Sequence, residues 1–141
     1  MEKAKLQAEY GLYINGQWRP AANGDTYTAE SPADGSHLAV CAQATREDVD
    51  DAVKAAWEAF KTWKKTTPAQ RAALLNKIAD IIDANKEHLA MVESMDNGKP
   101  IRETLNVDIP MSAAHFRYFA GCILAEEGQA SVLNEQFLSI I

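Results

Sequence analysis

At Thr45 the hydrophobic pattern of this chain changes period. Upstream, short apolar runs are broken by turn residues; downstream, Val49, Ala52, Val53, Ala56, Phe60 and Trp63 fall on one stripe of a 3.6-residue repeat. A strand does not fit the second pattern, nor a helix the first. The chain is therefore expected to fold as a small β patch followed by amphipathic helices.

The upstream part is organised by its turns. Leu12-Tyr-Ile-Asn-Gly-Gln-Trp18 sets Asn15-Gly16 between apolar runs. A type I′ turn needs positive φ at both central residues, which this pair tolerates, so a hairpin is predicted. Two further strands, Thr26–Glu30 and His37–Ala42, flank the turn residues Ser31-Pro-Ala-Asp-Gly35, and an antiparallel patch is expected.

Downstream, helix ends carry their own signals. Thr45 with Asp48 resembles a capping box, and Lys64-Lys65 suits the carbonyl end of the first helix. Thr67, Pro68 and Gln70 supply a cap, a first-turn proline and a full capping box for the second, whose apolar face is Leu74, Leu75, Ile78, Ile81 and Ile82. A third helix follows Asn85 with Leu89, Val92 and Met95 inward. A fourth is predicted to start at Asp108 as cap, with Pro110 in its first turn and Met111, Ala114, Phe119, Cys122 and Ile123 buried, and to stop at Gly128. Residues 130–141 read as one apolar strand that ends on Ile140-Ile141 without a closing turn and wants a partner.

The Gly-Lys pair in Met91-Val-Glu-Ser-Met-Asp-Asn-Gly-Lys-Pro100 raises the question of a phosphate site. Such a site needs a glycine-rich loop that follows a strand and opens a helix, so that free N–H groups face the anion. Here the pair closes a helix: Gly98 stands where a left-handed residue is needed and Pro100 prevents resumption. The stretch is a helix stop.

Composition excludes several classes. With 141 residues, 47% hydrophobic and 24% charged, the chain suits one globular unit, and a net charge of −6 with interspersed signs disfavours nucleic acid and anionic membrane surfaces. No apolar run reaches membrane-spanning length and the N-terminus has no signal-peptide core, so no membrane partner is expected and a cytoplasmic location is. Cys41 and Cys122 read as small buried hydrophobes, and His37, His88 and His115 share no ligand spacing. The acidic pairs Asp50-Asp51 and Glu126-Glu127 read as solvated faces. Tyr13, Trp18, Trp57, Phe60, Trp63, Phe116 and Phe119 follow the element periods expected of core packing.

Three stretches together carry a resemblance: residues 19–35, beginning Arg19-Pro20; residues 45–103, from the first cap through the Asn97-Gly98-Lys99-Pro100 stop; and residues 107–121, Val107-Asp108-Ile109-Pro110 to Ala120-Gly121. In order and spacing they resemble the N-terminal part of the NAD(P)-dependent aldehyde dehydrogenase superfamily, of the acetaldehyde-oxidising kind. Ser31-Pro32 stands where that family usually has Asn-Pro.

The resemblance implies an α/β fold, the N-terminal part of a Rossmann-like cofactor domain. Residues 1–128 would form its incomplete beginning and residues 129–141 the first strand of an oligomerisation sheet. It implies an enzyme that oxidises small aldehydes to carboxylic acids with NAD or NADP, through a cysteine nucleophile and a glutamate that activates water, and that assembles as a homodimer or homotetramer. No catalytic or cofactor-binding residue is expected within this chain. The one site it would carry is for a structural monovalent cation, held by oxygens of Ala29, Glu30 and Asp108 with a further ligand from outside the chain. A simple helix cap is the alternative reading of Asp108. A non-catalytic oligomerisation module is the alternative reading of the whole.

Overall fold

The computed structural model describes residues 4–140, so the expected end of the last strand at Ile141 lies outside the described residues. Strands come first: β1 (Glu9–Tyr10), β2 (Leu12–Ile14), β3 (Gln17–Arg19), β4 (Thr26–Glu30) and β5 (His37–Ala42). Asn15 and Gly16 turn β2 into β3 with φ of 52° and 78°, the positive pair the turn requires. β4 and β5 pair antiparallel as expected, with a register shift at Ala29/Glu30.

The patch departs from expectation in one respect. β1 joins β5 in parallel, Glu9 opposite Val40 and Tyr10 opposite Cys41, giving a mixed sheet of order β1-β5-β4, while β2–β3 stands as its own two-stranded ribbon. A two-residue strand has no period to read, and a parallel partner some thirty positions away leaves no local mark.

The helices are α1 (Arg46–Trp63), α2 (Pro68–Ala84), α3 (Lys86–Asn97), α4 (Ile101–Glu103) and α5 (Ile109–Leu124). Both capping boxes form: the Thr45 and Thr67 hydroxyls accept from Asp48 and Gln70 N–H groups, and both side chains accept in return. Asp48 does more than complete a cap. It is buried and accepts from the Thr45 backbone N–H at 2.9 Å, the Thr45 hydroxyl at 2.8 Å, the Ala22 N–H at 3.1 Å and Arg19 Nη2 at 3.0 Å. The Thr45 and Ala22 backbone donors, ahead of Arg19, hold its carboxyl below the usual range. Arg19 also reaches Asp51 at 3.2 Å, so β3 and α1 are fastened by one guanidinium and two carboxylates.

Between α4 and α5 the chain makes a π turn, Thr104–Asp108, in which the Ile109 N–H donates to the Thr104 carbonyl. Pro110 explains it: in a regular helix its ring would collide with the carbonyl four residues back, and widening the turn relieves that contact. Asp108 is thus inside a continuous helical run, with helical φ and ψ and no side-chain cap. The expectation that it starts the last helix as an N-cap is corrected.

Among the described residues the buried apolar side chains are alanines, Ala72 and Ala79 of α2, Ala113 and Ala120 of α5, with Ala21, Ala39 and Ala90, and only Ile109 is larger. α2 lies on α5 along this seam, where small side chains let the two helices approach closely. Arg117 of α5 closes the outside by pairing with Asp80 and Asp83, each at 2.8 Å.

The face expected for α5 is therefore wrong. Ile109, Ala113 and Ala120 point inward, whereas Met111, Ala114, Phe119 and Cys122 are exposed and Ile123 alone of that set is half-buried. Cys41 is half-buried, so neither thiol is fully sequestered. Of the aromatics expected in the core only Phe116 is half-buried; Tyr13, Trp18, Trp57, Phe60, Trp63 and Phe119 are exposed.

The C-terminal segment is also corrected. It is a hairpin of β6 (Ala130–Asn134) and β7 (Phe137–Ile140), and α5 stops at Leu124 rather than Gly128. Asn134 makes the turn, its side-chain oxygen accepting from the Gln136 and Phe137 N–H groups at 2.9 and 3.1 Å. Both strands are largely exposed.

Candidate functional site

The turn after β4 and the end of α3 meet. Ser31 is buried; its N–H donates to the Ser36 carbonyl at 2.9 Å and its carbonyl accepts from Gly35 at 2.7 Å. Asp34 braces the turn by accepting from the Ser36 N–H and hydroxyl. Opposite stands Gly98, φ 76°, whose N–H returns to the Ser94 carbonyl and ends α3. A Cβ on Gly98 would lie 3.0 Å from Pro32 Cγ, so the glycine is needed both for its left-handed backbone and for the approach of Pro32. The Gly-Lys pair is a helix stop, as expected, and its backbone is packed against its own chain rather than open to a phosphate.

Lys99 follows and its ammonium donates to Asp108. That hydrogen bond, then the charges of Asp108, Glu93 and Glu103, raise the Lys99 pKa. Asp108 reaches this position because the π turn offsets it from the α5 face. Thr104, fully buried at the start of the same turn, donates to the Ala90 carbonyl at 2.9 Å and lies 2.8 Å from the Ser94 hydroxyl. Those contacts tie the turn to α3.

Between this junction and the sheet lies a cavity of about 420 Å³, lined among others by Tyr10, Ala29, Cys41, Val92, Glu93 and Ile109. Ala29 at the end of β4 and Ile109, next to Asp108, thus face one space. Glu30 is exposed beside Ala29 at the register shift. Tyr27 stands opposite Cys41 in the β4–β5 ladder, and the neighbouring Cys41 side chain pushes the phenol pKa up. His37, His88 and His115 are exposed on three separate elements, and no group of three or more His, Cys, Asp or Glu side chains suited to a metal ion occurs among the described residues.

Sequence reasoning found Ala29, Glu30 and Asp108 only through resemblance. It missed Lys99 as the partner of Asp108, since a nine-residue separation across a helix stop has no period, and it missed Thr104 as a buried hydroxyl. Among the described residues no helix is long and apolar enough to cross a membrane.

Comparison with known proteins places this junction in a family. The profile of the aldehyde dehydrogenase family matches residues 18–140. An acetaldehyde dehydrogenase of Pseudomonas aeruginosa is 48% identical over 130 residues, covering 92% of this chain and 26% of that protein. A long-chain-aldehyde dehydrogenase of Acinetobacter is 44% identical over 137 residues, covering 97% and 27%. The structure of the NAD+ complex of a Bacillus cereus aldehyde dehydrogenase superposes with a TM-score of 0.90 at 36% identity, covering 99% of this chain and 30% of that one. The chain spans about a quarter of the length of the curated relatives it matches. Its α/β fold corresponds to the N-terminal part of those structures, and the chain belongs to the aldehyde dehydrogenase family.

Proposed function

We propose that these residues are the N-terminal quarter of an NAD(P)-dependent enzyme that oxidises small, acetaldehyde-like aldehydes to carboxylic acids, and that the reacting groups lie in the other three quarters. The observation that carries this is the near-complete superposition of the chain on about 30% of an NAD+-bound family structure. The nicotinamide cofactor would supply the hydride acceptor. The Gly98-Lys99 pair offers it no phosphate cradle: Gly98 is packed on Pro32 and Lys99 is held by Asp108. The role of this part is to scaffold the cofactor domain, with residues 1–128 as its beginning and the 129–141 segment directed to a neighbouring subunit of a cytoplasmic homodimer or homotetramer.

The test joins residues 1–141 to the remaining three quarters of the Pseudomonas aeruginosa relative and follows NADH absorbance with acetaldehyde. The chimera is expected to turn over and the 141-residue chain alone is not. NADH formation by the short chain that disappears on Cys122→Ala, or a folded but inactive chimera, would overturn the proposed activity.

The cation site belongs to the same proposal. Oxygens of Ala29, Glu30 and Asp108 would hold a monovalent cation; Ala29 lines the cavity, and Asp108, next to its wall residue Ile109, would exchange its Lys99 partner for the ion. In sodium or potassium chloride the chimera is expected to melt a few degrees above its value in choline chloride, and the difference to vanish in Asp108→Asn. Equal melting in all three salts rejects the site.

A second reading, a non-catalytic module that docks on longer subunits, is favoured by the exposure of Val132, Leu133, Phe137, Leu138 and Ile140 on the β6–β7 hairpin. Co-purification with a full-length family subunit would support it; a monodisperse monomer would count against it.

A further inference from the structure

Helix α1 is packed the wrong way round for a free-standing helix. Its small residues Ala52, Ala55, Ala56 and Ala59 lie along the β2–β3 turn at Tyr13–Gly16. Its large residues face away: Val49, Val53, Trp57 and Phe60 are 55, 49, 66 and 45% exposed. They recur at helical spacing, so they form one continuous stripe rather than scattered exposure. Val53, Ala56, Trp57 and Phe60 enclose a shallow hollow of about 300 Å³ whose walls are almost wholly apolar.

The helix itself is not provisional. It has a complete capping box, and the buried Asp48 and the Arg19 bridge fix its rotation about its own axis against β3. With that rotation fixed, the apolar stripe cannot turn inward. It is held ready for something else.

Its occupant follows from coverage. The chain superposes at a TM-score of 0.88 on a solved chain of which it covers only 26%, so its fold here is the one such residues take when the rest of a subunit is present. We infer that the Val49–Phe60 stripe of α1 is the seam against which the remaining three quarters of an aldehyde dehydrogenase subunit docks. This rests on the reading of the chain as the N-terminal quarter of such a subunit. The hollow between Val53 and Phe60 takes an apolar side chain from that partner, and Trp57 forms its rim.

Hydroxyl-radical footprinting tests it. Trypsin releases Ala55–Lys61, which carries Trp57 and Phe60, and its oxidation is compared in the 141-residue chain and in the chimera with the Pseudomonas aeruginosa relative. A several-fold fall in oxidation is expected in the chimera, restored to the level of the short chain by Val53→Asp. Equal oxidation in both proteins overturns the seam. So does protection in the short chain that grows with its concentration, which would make a second copy the occupant. NADH formation by the same chimera reports on the proposed activity separately: an active chimera with an exposed peptide removes the seam alone, and a protected but inactive one removes the activity alone.

Discussion

Gly98→Ala is expected to destabilise the chain by about 2–3 kcal/mol, whereas Gly24→Ala costs about 1 kcal/mol, although both glycines have a φ of 76°. The pair separates two effects. At Gly24 a new Cβ meets nothing within 4 Å, so the substitution registers backbone strain alone. At Gly98 the Cβ also comes to 3.0 Å from Pro32 Cγ and 3.9 Å from the Ala33 nitrogen. Pro32 belongs to a turn buttressed by buried Ser31, so it yields little, and the contact pushes the sheet away from α3. Urea titrations of both variants measure the difference. If Pro32→Ala restores part of the loss in Gly98→Ala but none in Gly24→Ala, the contact is responsible; equal losses at the two glycines would remove Pro32 from the account.

Asp48→Ala is expected to lower the melting temperature by on the order of 10 °C, because the Thr45 and Ala22 N–H groups lose their acceptor and Arg19 loses one of its two carboxylates. The pH dependence has a definite sign. The folded carboxyl is held below the usual aspartate value of about 3.9, so its contribution is complete above that pH and is lost as pH falls through the folded value. Thermal melts between pH 6 and about pH 3 should fall more steeply for the native protein than for Asp48→Asn, which has nothing to protonate there. Parallel curves would show that the fastening of β3 to α1 does not depend on the charge.

Local chemistry was readable and spatial assignment was not. Asn15-Gly16, the Thr45 and Thr67 caps, Pro68 and Gly98 each act through their own backbone or a neighbour three residues away, so their geometry is written where they stand. The inward face of α5 failed because bulk was taken as the sign of burial. Here closeness of α2 and α5 selects alanine, which the eye passes over, and leaves Met111 and Phe119 outside. Asp108 failed as a cap because Pro110, read as a helix start, instead widens a helix already running from Ile101. The β6–β7 turn contains neither glycine nor proline and depends on one asparagine side chain. The cation ligands came from resemblance: Ala29, Glu30 and Asp108 share no spacing, and the cavity that relates two of their neighbourhoods exists only in three dimensions.

The alanine seam has a consequence for register. Ala72 and Ala79 stand seven residues apart, and so do Ala113 and Ala120, so sliding α2 by two turns would set alanine against alanine again. Such a slip keeps alanine at one of the two contacts, with Ala72 where Ala79 stood, so packing opposes it only in part. Arg117 opposes it too: moved by seven, its partners Asp80 and Asp83 give way to Ala73 and Asn76. An exposed ion pair worth little as glue thereby acts as a key, admitting one alignment of two otherwise repetitive surfaces.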